Sequence, residues 1–410
     1  MRHLVIGLAA ALAATLPVSA QDINAEQALD DLRALTTDEM DGRRTGTQGA
    51  ADARAYISER FFLSGLMAFG DTWEQAFTYS PRRSAEELQG INLVGYHAGS
   101  GGADNGPVIV VTAHYDHLGN CGGQICNGAD DNASGVAGML EVAACMVADT
   151  AAGDFAPRRD IVFAAWSGEE LGLLGSDHYV KELADGKEAI TDQISSYFNL
   201  DMVGRLRSNL VVSGAGSSSV WYDAVEQANA SIGLPIIMQK DSYLPTDATS
   251  FYLKQVPIFS VFSGVHSEYH TPRDTADLLN YAGAARISEL VHVVASDVAT
   301  WSTTPDYIAM EQPAEEGGRG VMRAYLGTVP DYAESDVKGM VLNGVTKGAP
   351  ADKAGLKGGD VIVEMAGKTI ENIYDYTYAI QALKIGEAVE VVVERDGERV
   401  TLQITPESRQ

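Results

Sequence analysis

The chain has 410 residues, 45% of them hydrophobic, which is enough to bury one large core or two separate ones and too apolar for a disordered chain. Its formal net charge of -27, from 29 basic against 56 acidic residues, excludes nucleic acid as a partner, because binding it relies on cationic side chains that neutralise phosphate. The same surplus of acid suits a protein that stays soluble outside the cytoplasm.

Residues 1–20, MRHLVIGLAAALAATLPVSA, set Arg2 before an apolar run from Leu4 to Leu16, then Pro17 and the small residues Val18 and Ala20. That is the pattern of a secretory signal peptide cut after Ala20. The run is short for a bilayer span, no Cys follows the cut to carry lipid, and no later stretch reaches the roughly 18 consecutive apolar residues of a membrane helix. The expectation is a periplasmic or secreted protein without a membrane anchor.

Residues 25–69 read as two helices around DGRRTGTQG. From there, apolar runs suited to strands (91–97, 107–114, 160–166, 194–202, 209–214 and 256–262) alternate with helical patterns (133–149, 173–185, 217–232, 247–254 and 280–301). Near-continuous apolar strands between helices predict an α/β fold with a mostly parallel, mixed central sheet flanked by helices. Cys121 and Cys126 enclose only GGQI, and in an oxidising compartment they predict a disulfide, whereas Cys145, inside MLEVAACMV, reads as a core residue.

A composition shift at WSTTPDYIAMEQPAEEGGRG divides a domain at 21–303 from a linker at 304–320. Residues 321–410 then form a small β-rich domain, with strand runs at 339–345, 360–367 and 388–405, a turn at RDG and a helix at about 374–383.

Polar residues gather where the apolar strands end. His114 and Asp116 follow PVIVVTA, Glu169 and Glu170 follow DIVFAAWSG, Asp201 ends ISSYFNL, and His270 lies beyond VPIFSVFSG. Asp131 stands in NGADDNASG, beside Asp130 and Asn132, at the start of an apolar helix, and acids crowded there need a cation. Ligands on such sheets bind beyond the carboxyl ends of the strands. Carboxylates mixed with imidazoles suit zinc, and no Ser or Cys nucleophile elbow offers covalent catalysis instead. His114, Asp131, Glu170, Asp201 and His270 are one donor more than a single tetrahedral zinc needs, and two metals about 3.5 to 4 Å apart would use them all.

The series AHYDHLG, NGADDNASG, SGEELGLLGS, YFNLDMVGR and EYHTPRDT, with DGRRTGTQGADARAYI upstream, resembles the M28 family of co-catalytic zinc aminopeptidases across residues 25–303. The resemblance implies two zinc ions per chain. His114 and Asp201 would bind one, Glu170 and His270 the other, and Asp131 would bridge them. It also implies a cis peptide between Asp131 and Asn132. Asp116 would orient the His114 ring by accepting its other N–H. Glu169 would be the general base that takes a proton from the shared water, and Tyr243 would donate to the oxyanion, although the Cys pair that flanks this Tyr in some members is missing.

The implied function is a secreted or periplasmic metallo-aminopeptidase acting on peptides with a free N-terminus. A non-catalytic scaffold on the same fold, a glutaminyl cyclase and a carboxypeptidase are the alternatives; His114 with Asp201 completes a second metal site that argues against the one-zinc cyclase. With every ligand position taken, His117 is expected behind the ligands or at the surface, and Arg205 is expected in a structural salt bridge. AYLGTVPDY, GVTKGAPADKAGLKGGDVIVEMAGKTI and YTYAIQAL resemble a PDZ domain of the bacterial protease-associated type. Leu326 and Gly327 would lie in the loop that captures the C-terminus of a peptide or protein.

Overall fold

A computed structural model describes residues 23–80, 87–101, 106–121, 123–264, 266, 268–310, 324–330, 338–370, 375–376, 379–380, 383–395 and 397–408. The expected signal peptide lies outside them. Helices α1 (Ala25–Leu35) and α2 (Gln48–Ser64) begin at Asn24 and Thr47, whose side chains accept the N–H of Gln27 and of Ala50. Strands β1 (Met67–Ala68), β2 (Glu74–Tyr79), β3 (Leu88–His97) and β4 (Val108–His114) follow, then a hairpin of β5 (Gly119–Cys121) and β6 (Gln124–Cys126). The expected disulfide between Cys121 and Cys126 closes that hairpin, and Cys145 is buried in the core, as expected.

The first domain continues through α3 (Gly135–Ala152), β7 (Ile161–Trp166), α4 (Leu174–Ala184), β8 (Ile194–Leu200), β9 (Leu210–Ser213), α5 (Trp221–Ile232), β10 (Ile236–Met238), α6 (Ala248–Tyr252), β11 (Ile258–Phe262) and α7 (Tyr281–Thr300). Nine strands form one mixed sheet. Its centre, β7-β4-β8-β11, is parallel, while β1 and β2 pair with β3, β3 with β7, and β9 with β11 antiparallel. Every residue of β7 and β8 is buried, which is why these strands read as unbroken apolar runs.

Their side chains alternate between two cores. Ile109, Val111, Ala113, Ile161, Phe163 and Ala165 join α1, α2, α3, α5 and α7 on one face, while Val110, Val162, Ala164 and Trp166 join α4 and α6 on the other. The strands of this domain missed in the sequence are β1, β5, β6 and β10, of two or three residues each and too short to display an alternation, and the six-residue β2, EQAFTY, of which Phe77 alone is buried.

The stretch from 304 to 310, expected to open a linker, runs along this first domain. Ile308 N donates to Ser217 O at 2.8 Å, Asp306 accepts from Ser218 and Ser219, and Met310 N donates to the Tyr252 hydroxyl at 2.6 Å.

The C-terminal domain contains β12 (Ala324–Tyr325), β13 (Thr328–Pro330), β14 (Met340–Val345), α8 (Pro350–Ala354), β15 (Val361–Met365), β16 (Lys368–Thr369), β17 (Val389–Arg395), β18 (Glu398–Ile404) and β19 (Glu407–Ser408). Six strands make its main sheet, with β13 and β18 as end strands, around a core that includes Leu326, Leu342, Ile362 and Val391. The expected helix near 374–383 is helical at 375–376 and 379–380, and its other residues up to 382 lie outside the description.

Candidate metal centre

The four central parallel strands all deliver a polar residue to the same edge. His114 is the last residue of β4, Asp201 follows β8, Glu169 and Glu170 follow β7, and His270 lies in the loop beyond β11. Asp131 reaches them from the turn of Ala129–Ser134 that precedes α3.

Their ligand atoms fall into two groups, each with its atoms within 4.8 Å of one another: His114, Asp131 and Asp201 in one, His117, Asp131, Glu170 and His270 in the other. In the first, His114 Nε2 is 3.4 Å from Asp131 Oδ1 and 3.5 Å from Asp201 Oδ1. In the second, His270 Nε2 is 3.0 Å from Asp131 Oδ2 and 3.2 Å from Glu170 Oε2, and His117 Nδ1 is 2.8 Å from Glu170 Oε1 and 3.6 Å from Asp131 Oδ2. Zinc bonds of 2.0 to 2.2 Å in a tetrahedron separate neighbouring ligand atoms by about 3.3 to 3.6 Å, so the first group has the dimensions of a zinc site, while three of the four contacts in the second are shorter than that. Asp131 gives one carboxylate oxygen to each.

Both domains are similar to known proteins. Residues 92–295 match the model of peptidase family M28, and residues 322–405 match that of the PDZ domain. Residues 92–295 belong to peptidase family M28. It is 25% identical over 370 residues to leupeptin-inactivating enzyme 1 of Streptomyces exfoliatus, covering 83% of this chain and 74% of that protein. It is 29% identical over 218 residues to aminopeptidase YwaD of Bacillus subtilis, covering 51% of this chain and 45% of that one. The fold matches that of BSAP, a zinc aminopeptidase from Bacillus subtilis, with a TM-score of 0.54 and 18% identity over 66% of this chain and 94% of that one.

Around the ligands, this M28 domain is held by backbone and amide contacts. The peptide between Asp131 and Asn132 is cis, as the family resemblance implied. Asn132 Nδ2 donates to Leu200 O at 2.9 Å, and its Oδ1 accepts from Gly135 N and Met202 N, so one amide ties the Asp131 turn to both sides of Asp201. Asp274 Oδ2 accepts the N–H groups of Asp130 and Asp131 at 3.0 and 3.1 Å, linking the turn to the loop of His270. Gly135 is obligatory where α3 passes β8, because a Cβ there would lie 2.3 Å from Leu200 O.

Asp116 acts differently from the expectation. His114 Nδ1 lies 3.1 Å from the main-chain oxygen of Asp116 and 3.9 Å from its carboxylate, so the carbonyl orients the ring. The carboxylate instead accepts Glu169 N at 3.1 Å and the Thr45 hydroxyl at 3.0 Å. It therefore positions the backbone of Glu169.

Electrostatics mark a site crowded with buried carboxylates. Burial pushes Glu169 well above the ordinary carboxylate value, and Asp247, Glu170 and Asp201 add to that rise against the pull of His114. Burial likewise raises Asp116 to about 6 and Asp247 to about 7. Burial works against the charge on Asp131, but His117, His114 and His270 outweigh it and hold this carboxylate well below its usual value. The same opposition sets Glu170 at about 2, with His270 and His117 prevailing over burial and the charge of Asp131. His270, which burial alone would lower, is raised to about 10 by Glu170 and Asp131.

Other candidates are placed as follows. Tyr243 is half-buried, with its ring edge-on to Tyr252 at 5.1 Å between centroids. Arg205 donates to Leu278 O at 2.9 Å and pairs with Glu268, the structural bridge expected of it. His117 is not at the surface: it is 1% exposed and sits among the ligands. Asp247, in TDATS, is fully buried close enough to act on the charge of Glu169, and nothing in its polar loop sequence signals that. Arg43, from DGRRTGTQG, is buried completely and donates to the carbonyls of Leu35, Tyr115, Asn127 and Gly128 at 2.5 to 2.9 Å. It thereby fixes the two loops that carry His117 and Asp131.

In the C-terminal domain, Leu326 is buried and its carbonyl accepts Ala351 N, while Gly327, at φ 74, accepts Thr346 N. A Cβ at Gly327 would lie 2.1 Å from the Ala349 side chain.

Proposed function

We propose that this zinc-dependent aminopeptidase holds two zinc ions, one on His114 and Asp201 and one on Glu170 and His270, with Asp131 shared. The observation that carries the reading is the division of the Asp131 carboxylate, whose Oδ1 faces His114 and whose Oδ2 faces His270. Bound zinc would supply an acidified water and positive charge for the developing oxyanion.

The residues of the chain do the rest. Glu169 receives the proton of the attacking water and returns it to the departing amine. Its backbone is held by Asp116, and the neighbouring carboxylates that raise its proton affinity are those whose charge bound cations would offset. The surplus of carboxylate in the cluster suits the ammonium of a free peptide N-terminus. Tyr243 is assigned as a donor to the oxyanion on family resemblance alone.

The PDZ domain is proposed to take the carboxylate of a peptide or protein C-terminus at Leu326 and Gly327 and to add the peptide as a strand beside β13, an end strand of its sheet. Export to the periplasm or beyond fits the Cys121–Cys126 disulfide.

The test is metal analysis together with turnover of amino-acid anilides bearing free or acetylated amines. Two zincs per chain and activity confined to the free amine are the expected results. A metal-free, inactive chain would refute the reading.

A further inference from the structure

One residue among the ligand atoms is left over by the two-zinc assignment. His117, from AHYDHLG, is buried, and the nitrogen it turns towards the site is Nδ1. That atom lies 2.8 Å from Glu170 Oε1 and 3.6 Å from Asp131 Oδ2, on the opposite side of Glu170 from His270, which approaches Oε2 at 3.2 Å. The rings of His117 and His270 meet edge to face with centroids 5.6 Å apart, and Nδ1 of the one and Nε2 of the other both approach Asp131 Oδ2, at 3.6 and 3.0 Å.

The ring is also held from behind. Gly128, at φ 55, leaves the space it fills, since a Cβ there would lie 2.5 Å from both Cγ and Cδ2 of His117. Its Nε2 is buried with no hydrogen-bond partner among the described residues, so the ring is not turned for the sake of its far nitrogen.

We infer that His117 is a protein ligand of the zinc held by Glu170 and His270, so that the two metal sites of this chain are unequal. This rests on the two-zinc reading above. One site then has four protein ligands, His117, His270, Glu170 and Asp131, and is closed in the manner of structural zinc. The other, with His114, Asp201 and Asp131, has three and keeps a position open for water or substrate, in the manner of catalytic zinc. The closed site fills first and empties last.

Two measurements test this. In zinc-free protein given one equivalent of zinc, X-ray absorption counts the imidazoles around the metal. Two per zinc are expected, and one overturns the inference. In an Asp201→Ala background, where the open site is disabled, zinc affinity is read against a competing chelator. His117→Ala is expected to weaken binding by at least about tenfold, and unchanged affinity overturns the inference. His117→Asn, closer in size, covers the case in which the alanine variant does not fold. If the wild-type chain binds a single zinc in all, the two-zinc reading falls, yet the imidazole count still decides whether His117 is a ligand.

Discussion

Two clusters of buried acid lie in the same domain, and they are neutralised in different ways. Between α1, α2 and α3, Asp31 and Glu141 share Arg60, whose Nε is 2.7 Å from Asp31 and whose terminal nitrogen is 3.0 Å from Glu141. The Tyr56 hydroxyl and the backbone N–H of Asn24 also donate to these carboxylates. At the ends of the parallel strands, Asp116, Asp131, Glu169, Glu170, Asp201 and Asp247 face three imidazoles, and the arginine buried nearby, Arg43, spends its donors on main-chain carbonyls. Where the fold needs a permanent counter-charge it encodes one. Where the chemistry needs a metal, it positions the arginine so as to shape the loops and leaves the carboxylates to the incoming cation.

That contrast can be broken from either side. The largest effect is expected at Asp131, because both ligand groups depend on it: Asp131→Ala should strip zinc from the chain and lower turnover by at least about a thousandfold, beyond the tenfold to hundredfold typical of residues behind the ligands. Metal analysis and anilide turnover on the same sample check it. Next comes Glu169→Gln, which removes a proton carrier without touching either ligand group. Zinc content should be preserved while kcat falls by about two to four orders of magnitude. Full activity in this variant would remove Glu169 from its role. On the structural side, Arg60→Met leaves Asp31 and Glu141 buried without their cation, at a cost of about 3 to 5 kcal/mol in chemical denaturation, with zinc stoichiometry unchanged in the folded protein.

The metal site was legible because each strand-end residue closes an apolar run, and five such residues on one sheet edge exceed what loop polarity explains. Asp131 stood out for its crowding with Asp130. Residues that act through orientation were not legible. Asp116 was recognisable as a partner of His114, but sequence cannot tell a carboxylate from the carbonyl of the same residue, and the carbonyl is what meets the ring. His117 was discounted by counting ligand positions, a count that a fold is free to exceed. Asp274 works by accepting the N–H groups of Asp130 and Asp131 from a distant loop, Asn132 by joining the nearby Gly135 N to the distant Met202 N, and Asp247 by burial beside Glu169, and the long-range part of each leaves no local pattern. Of the fold, the long buried strands were readable, whereas the short edge strands and the packing of 304–310 depend on tertiary contacts.

The smallest expected effect separates a cluster with its own cation from one that is fully neutralised by it. Burial, aided by the charge of Asp31, pushes Glu141 up from the ordinary 4.5 to about 7, against the pull of Arg60 and the Asn24 N–H. One arginine between two carboxylates leaves one negative charge in excess, and the folded state therefore holds a proton on Glu141 more tightly than the unfolded chain does. The stability this contributes is complete below about pH 4.5 and is lost as the pH climbs through about 7. Glu141→Gln cannot ionise, so its stability relative to the wild type should improve by about 1 to 3 kcal/mol between pH 5 and pH 8. Subtracting the urea unfolding free energies of the two proteins at each pH isolates the effect, because the metal ligands titrate in both. A difference that stays constant across that range would mean that Arg60 neutralises both acids at once, and the line between the two clusters would then be sharper still.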